Sequence, residues 1–232
     1  MLSGTRPFYA TEGMSATVRW DGKHYDLKQC GAVLFDLDGT LWDSSEVVVR
    51  AWREVLRGQG RDVTPEQLRG VMGLQLPDIG KKLFPEMDPD RVLHTMQECC
   101  RLENELIRQV GGRLFPGVEA MLHTLSARMP LAVVSNCQEG YIEAFLAYHK
   151  LGGYIRDFQW AGMHGRTKGA NIRSVVARCG MRNPCYVGDT AMDAAASAEA
   201  DIPFIHAAYG FGKVEACAAS LARPADLPGL LG

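Results

Sequence analysis

From Thr17 the chain alternates apolar and polar positions, first through Thr-Val-Arg-Trp and then, after Asp21-Gly22, through Lys-His-Tyr-Asp-Leu. Alternation on both sides of an Asp-Gly pair predicts a β-hairpin closed by a two-residue turn, appended at an edge. Between Gly31 and Leu37 the pattern becomes a near-continuous apolar run, Gly-Ala-Val-Leu-Phe-Asp-Leu. Strands of a parallel sheet read this way because helices cover both of their faces. Similar runs predict strands at Leu131 to Ser135, Phe158 to Ala161, Cys185 to Gly188 and Pro203 to His206, with helices starting near Val118, Glu139, Lys168 and Ala191. Strand and helix in this alternation imply right-handed crossovers and an α/β fold, a doubly wound, mostly parallel Rossmann-like sheet.

Residues 44–113 break the alternation. Here the period is helical, and breakers stand at Gly58-Gln59-Gly60, Pro65, Gly73, Pro77, Pro85 and Pro89, which predicts about four short helices. Thr64-Pro65-Glu66-Gln67 has the form of a helix start, with a hydroxyl cap, Pro in the first turn and Gln at the capping-box position. The expected organisation is an N-terminal arm and β-hairpin over residues 1–30, a core from residues 31–43 and 114–232, and a small inserted α-helical cap over residues 44–113. The first fourteen residues have no periodicity and are expected to form a loose arm.

Length fits this division. At about 150 residues per domain, the 232 residues are too many for one ordinary domain and too few for two, and an insertion accounts for the excess. Lys plus Arg number 25 against 27 Asp plus Glu, a net charge of −2, so no overall basic field exists to draw nucleic acid or an anionic membrane. Seven cysteines without a Cys-x-x-Cys pair argue against a zinc site or a disulfide framework. The start lacks the apolar run of a signal peptide, and no stretch approaches the ~20 apolar residues of a membrane helix. A soluble, reduced, cytoplasmic protein, monomeric or homodimeric through its hairpin, is expected.

The chemistry concentrates at predicted strand ends. Asp36-Leu37-Asp38-Gly39-Thr40-Leu41-Trp42-Asp43 closes the first strand, at the sheet edge where open α/β folds bind ligands. Two acids so close repel each other unless a cation neutralises them, and Mg2+ suits a few carboxylates, waters and a substrate phosphate. The glycine permits a tight turn with backbone N–H groups for an anion. Ser135 and Asn136 end a second strand with phosphate-bonding groups. Lys168 precedes a helix start with an ammonium, and Gly188-Asp189-Thr190-Ala191-Met192-Asp193 ends another strand with two more acids.

In this order, Asp36-x-Asp38-Gly39-Thr40-Leu41, Ser135, Lys168 and Gly188-Asp189-x-x-x-Asp193 resemble the haloacid dehalogenase-like hydrolase superfamily over roughly Gly31 to Tyr209. The helical insertion resembles the cap of its phosphoglycolate phosphatase and β-phosphoglucomutase-like branch. The resemblance implies a Mg2+-dependent phosphatase acting on a small phosphorylated substrate through an aspartyl-phosphate. Asp36 would be the nucleophile and Asp38 the general acid and base, with its backbone carbonyl also on the metal. Asp189 would complete the shell that Asp36 and Asp38 begin, and Asp193 would ligate through water or orient Lys168. Ser135, Asn136, Lys168, Gly39 and Thr40 would hold the phosphoryl group.

Gly169 follows the lysine where the family often has Pro, which leaves Arg166 as a substitute cation. Trp42 stands where a smaller apolar residue is usual and is expected to pack at the cap hinge. An acid at Asp38 favours a phosphate ester or anhydride over a carbon–halogen bond, since a halide leaves without a proton. Both acids are equally compatible with a phosphomutase, and a non-catalytic phosphate-binding regulator is the reading from another class. In the cap, Gly73-Leu74-Gln75-Leu76-Pro77 is expected to carry specificity through Gln75, with Lys81 and Lys82 placed to meet an anionic leaving group or simply solvated. Of the six histidines, only His164 lies near Lys168.

Overall fold

A computed structural model describes residues 17–71, 73–161 and 166–232; the expected arm over the first fourteen residues lies outside them. Strands β1 (Thr17–Trp20) and β2 (Lys23–Asp26) form the predicted hairpin. Its turn residues Asp21 and Gly22 have φ of 45° and 76°, the left-handed pair that matches strand twist in a two-residue turn. The hairpin joins no strand of the main sheet. Instead, Trp20 is buried against Phe204 with ring centroids 5.8 Å apart, and Lys23 reaches Asp201 at 2.5 Å. Burial of the indole, more than strand pairing, fixes where the hairpin sits.

The main sheet has six parallel strands in the order β10 (Ala219–Leu221), β9 (Phe204–Ala207), β8 (Pro184–Gly188), β3 (Ala32–Phe35), β6 (Leu131–Ser135) and β7 (Asp157–Trp160). β3 is central, and the chain leaves it in both directions, so the crevice at its carboxyl end is the switch point of a doubly wound sheet. Alternate residues serve opposite cores. Val33 and Phe35 pack with Leu131 and Val133 on one face, while Ala32 and Leu34 pack with Ala132 and Val134 on the other. Helices α5 (Val118–Ser126) and α6 (Tyr141–His149) supply residues to the first core, and α7 (Lys168–Arg178) and α8 (Ala191–Glu199) to the second. A further short helix, α9 (Leu227–Leu230), ends the chain.

Between two brief antiparallel strands, β4 (Trp42–Asp43) and β5 (Arg113–Leu114), lie α1 (Ser45–Gly58), α2 (Pro65–Arg69), α3 (Leu76–Leu83) and α4 (Pro89–Val110). The capping box at Thr64 and Gln67 forms with both of its hydrogen bonds, at 3.2 and 2.8 Å. The helices are less uniformly short than expected: α4 runs for 22 residues. Asp88 caps its start, and no breaker follows Pro89 until Gly111. The hairpin of β4 and β5 closes the base of the insertion, with Trp42 fully buried edge-on against Tyr141, Phe145 and His149.

Trp20→Ala is expected to destabilise the protein by about 3 kcal/mol, the usual cost of removing a buried large aromatic. Urea unfolding checks this. An unchanged midpoint would mean that the hairpin is a detachable appendage.

Candidate active site

Asp36 follows β3 directly and is held by its backbone N–H, which donates to Val187 O at 2.8 Å. Its carboxylate is buried at the switch point and accepts from Lys168 Nζ at 2.6 Å. Lys168 is the first residue of α7, whose cap is Thr167, and it also donates to Asp193. Asp193 is fixed in turn by the capping box of α8. One of its oxygens accepts from Thr190 N at 2.9 Å and Asp189 N at 3.2 Å, leaving the other for Lys168. Thus Asp193 orients Lys168 while its second oxygen is saturated by backbone donors.

One oxygen of Asp189 accepts from the N–H groups of Phe211 at 2.8 Å and Gly212 at 3.2 Å. The other, Oδ1, is buried without a partner. An orphaned anionic oxygen in the interior is costly unless something electropositive meets it. Ligand oxygens of Asp36, Asp189 and Asp193 lie within 4.8 Å of one another, with Lys168 as the ammonium that reaches Asp36 and Asp193. This donor set fits a hard divalent cation.

The turn that carries these acids is sterically tight. Gly39 has φ of 82°, and a Cβ there would lie 2.2 Å from Asp189 Oδ2. Gly210, in the loop after β9, leaves room only for hydrogen beside Gly39 O, which a Cβ would meet at 2.2 Å. The expected use of the Gly39 and Thr40 amides needs correction. Gly39 N donates to Trp42 O at 2.9 Å and Thr40 N to Leu37 O at 3.2 Å, so the turn itself consumes both. No acceptor among the described residues takes the N–H of Leu37 or Asp38, and these are the amides left for an anion. Thr40 Oγ1 is buried and unpartnered.

The Asp38 carboxylate stands apart from the three-acid cluster and turns toward the helical insertion. Its Oδ1 is 2.5 Å from Ser44 Oγ and 2.8 Å from the Tyr141 hydroxyl, which are themselves 2.8 Å apart. Ser44 and Tyr141 were not legible as site residues, because only the fold brings the start of α1 and the start of α6 to Asp38. Ser135 is buried at the end of β6, and Asn136 donates to Gly73 O at 2.9 Å, bonding the core to the cap loop.

Core and insertion enclose a cavity with about 70 Å3 open to the centres of water molecules. Asp36, Asp38, Ser135 and Asn136 line its core side, and Trp52, Leu74 and Glu103 line the other. Gln75 is not among the lining residues, although its neighbours Leu74 and Leu76 are. Lys81 and Lys82 are exposed; Lys82 donates to Gly70 O at 2.8 Å and Lys81 lies 3.9 Å from Asp78. Arg166 is exposed as well, and His164 lies outside the described residues.

Burial pushes the carboxyls of Asp36 and Asp38 up to about 7, against the pull of Lys168 on the first and of Ser44 and Tyr141 on the second. Burial likewise raises Asp189 to about 6. For Lys168, burial acts downward, but the charges of Asp193 and Asp36 outweigh it and hold the ammonium well above its ordinary value. The site therefore combines a permanent cation with three carboxyls, Asp36, Asp38 and Asp189, that burial pushes toward neutrality.

Residues 33–207 match the haloacid dehalogenase-like hydrolase family. The chain belongs to that family. It is 29% identical over 189 residues to the phosphoglycolate phosphatase of Rhodobacter capsulatus, covering 78% of this chain and 86% of that one. It is 32% identical over 187 residues to the phosphoglycolate phosphatase of Xylella fastidiosa strain Temecula1, covering 77% and 80%. Among solved structures, a predicted phosphoglycolate phosphatase from Haemophilus somnus superposes with a TM-score of 0.79 at 17% identity, over 88% of this chain and 99% of that one. This haloacid dehalogenase-like protein is an enzyme, a hydrolase of the phosphatase kind.

A pH signature follows from the raised acids. Their folded-state pKa values lie above the ordinary value of about 4, so between about pH 4 and about pH 7 the folded chain holds protons that the unfolded chain has released. These acids therefore subtract stability as pH rises through that window, while His149 and His206, held below their ordinary value by burial, act in the opposite sense. A divalent cation needs the ionised carboxylates. Its effect on the melting temperature is expected to be larger at about pH 8 than at about pH 5; an equal effect at both would place the cation elsewhere.

Proposed function

We propose that the protein is a Mg2+-dependent phosphatase that hydrolyses a small phosphorylated metabolite through an aspartyl-phosphate on Asp36. The observation that carries this reading is the buried Asp36 carboxylate bonded to Lys168 beside the orphaned oxygen of Asp189. Asp36 and Asp189, with the backbone carbonyl of Asp38, would hold Mg2+. Bound there, the ion neutralises phosphoryl oxygens and lowers the cost of bringing one anion to another.

An Asp36 oxygen attacks phosphorus, the bond to the leaving oxygen breaks, and Asp38 donates its proton to that oxygen. Asp38, raised to about 7 by burial, can carry a proton at neutral pH. Ser44 and Tyr141 hold its carboxyl toward the cavity, where the leaving group must lie. The ionised Asp38 then takes a proton from water, whose oxygen attacks phosphorus and releases Asp36 and inorganic phosphate. Lys168, Ser135 and the amides of Leu37 and Asp38 are aimed at the charge on the phosphoryl oxygens. Asn136 links phosphoryl site and cap through its bond to Gly73 O.

Residues 44–113 act in this reading as a cap hinged at β4 and β5, and closure excludes bulk water. Among the described residues no helix is long and apolar enough to cross a membrane, and a cytoplasmic setting is part of the proposed reading.

Asp36→Asn is expected to lower kcat for p-nitrophenyl phosphate in Mg2+ by more than about 1000-fold, since the nucleophile itself is lost, with the fold retained. Wild-type turnover that this substitution leaves intact would remove Asp36 as the nucleophile.

A further inference from the structure

Glu103, on α4, is a charge that the phosphoryl chemistry does not use. It is 4% exposed and lines the cavity opposite Asp36 and Asp38. Its two oxygens are held separately, one by Trp52 Nε1 at 2.5 Å and the other by Gln138 Nε2 at 3.1 Å. Both partners are neutral N–H donors, so they orient the carboxylate without cancelling its charge, and each oxygen keeps acceptor capacity. No Lys, Arg or His stands among the described residues lining the cavity. The remaining wall at that end is apolar, formed by Val48, Leu68, Leu74, Leu76 and Ile79.

A leaving group released from phosphate at Asp36 must project into this space. A carboxylate there would meet Glu103 and Asp38, with no cation among the described lining residues to receive it, and uncompensated like charge in a water-poor site is disfavoured. A hydroxyl or ammonium would instead supply the donor that Glu103 lacks, and charged acceptors form the stronger hydrogen bonds.

Building on the phosphatase reading, we propose that Glu103 is a specificity-determining residue that selects phosphomonoesters whose leaving group ends in a hydrogen-bond donor and rejects those ending in a carboxylate. The class departs from the substrate in the names of the relatives, phosphoglycolate, whose leaving group, glycolate, ends in a carboxylate. Burial raises the Glu103 carboxyl to about 7, so the selection is best read at about pH 8, where the acceptor form prevails.

The test compares three esters of similar size that differ in the terminal group: 2-hydroxyethyl phosphate, phosphoethanolamine and phosphoglycolate, assayed with Mg2+ at about pH 8. The better of the two donor esters is expected to exceed phosphoglycolate in kcat/KM by at least about tenfold. Glu103→Gln is expected to reduce that ratio at least about fivefold, chiefly through KM for the donor ester. Equal or better turnover of phosphoglycolate by the wild type overturns the proposal, whether or not the variant folds. An unchanged ratio in a folded variant also overturns it and leaves Glu103 a structural tie between α1 and α4. Turnover of p-nitrophenyl phosphate with none of the three esters hydrolysed rejects the assigned class and keeps the phosphatase reading. Failure on p-nitrophenyl phosphate as well rejects that reading.

Discussion

An ammonium held in the protein interior between two carboxylates governs the rest of this structure. Lys168 can remain charged at 8% exposure because Asp36 and Asp193 flank it; an ammonium at that depth with neither partner would be an uncompensated buried charge. That requirement sets the positions of the first residue of α7, the end of β3 and the first turn of α8. It also brings Asp189 to the same point, where one of its oxygens is left without a protein donor. The fold thus concentrates negative charge beyond what Lys168 cancels, an excess that a divalent cation is suited to offset.

Such crowding is possible only where side chains are absent. Gly39 and Gly210 let two loops close on Asp189 at distances that no Cβ permits. The backbone of the Gly39 turn spends its own amides internally and leaves those of Leu37 and Asp38 without a backbone acceptor among the described residues. From the other side, Ser44 and Tyr141 hold Asp38, and Asn136 bonds to Gly73 O. Ser44, at the start of α1, thus joins Tyr141 of α6 on Asp38, whereas the acids around Lys168 come from the end of β3 and the start of α8.

Much of this was legible beforehand, for a physical reason. A strand buried on both faces leaves little choice but an apolar run, so β3, β6, β8 and β9 stand out, and polar residues at their ends are conspicuous against it. Asp36, Ser135 and Asp189 were visible in that way, and Lys168 by its place at a helix start. β10 is three residues in an alanine-rich stretch and gives no such contrast. Glu103 was hidden because its helix carries Arg101 and Glu105 on an exposed face, joined at 2.7 Å, and one more acid there looks like another solvated charge. Only the packing of α4 against α1 turns it inward, onto Trp52. Tyr141 and Ser44 were hidden similarly, since each meets Asp38 across a tertiary contact. The loop of Gln75 reaches the cavity through Leu74 and Leu76.

The central claim is that this buried cluster makes Asp36 the phosphoryl acceptor. Acid quenching of the enzyme during turnover of p-nitrophenyl phosphate in Mg2+, followed by peptide mass spectrometry, tests it directly. The account predicts one phosphoryl group, on the peptide containing Asp36 and at that carboxylate, removed by hydroxylamine as an acyl phosphate must be. A phosphoryl group on any other side chain, Ser135 included, would contradict it.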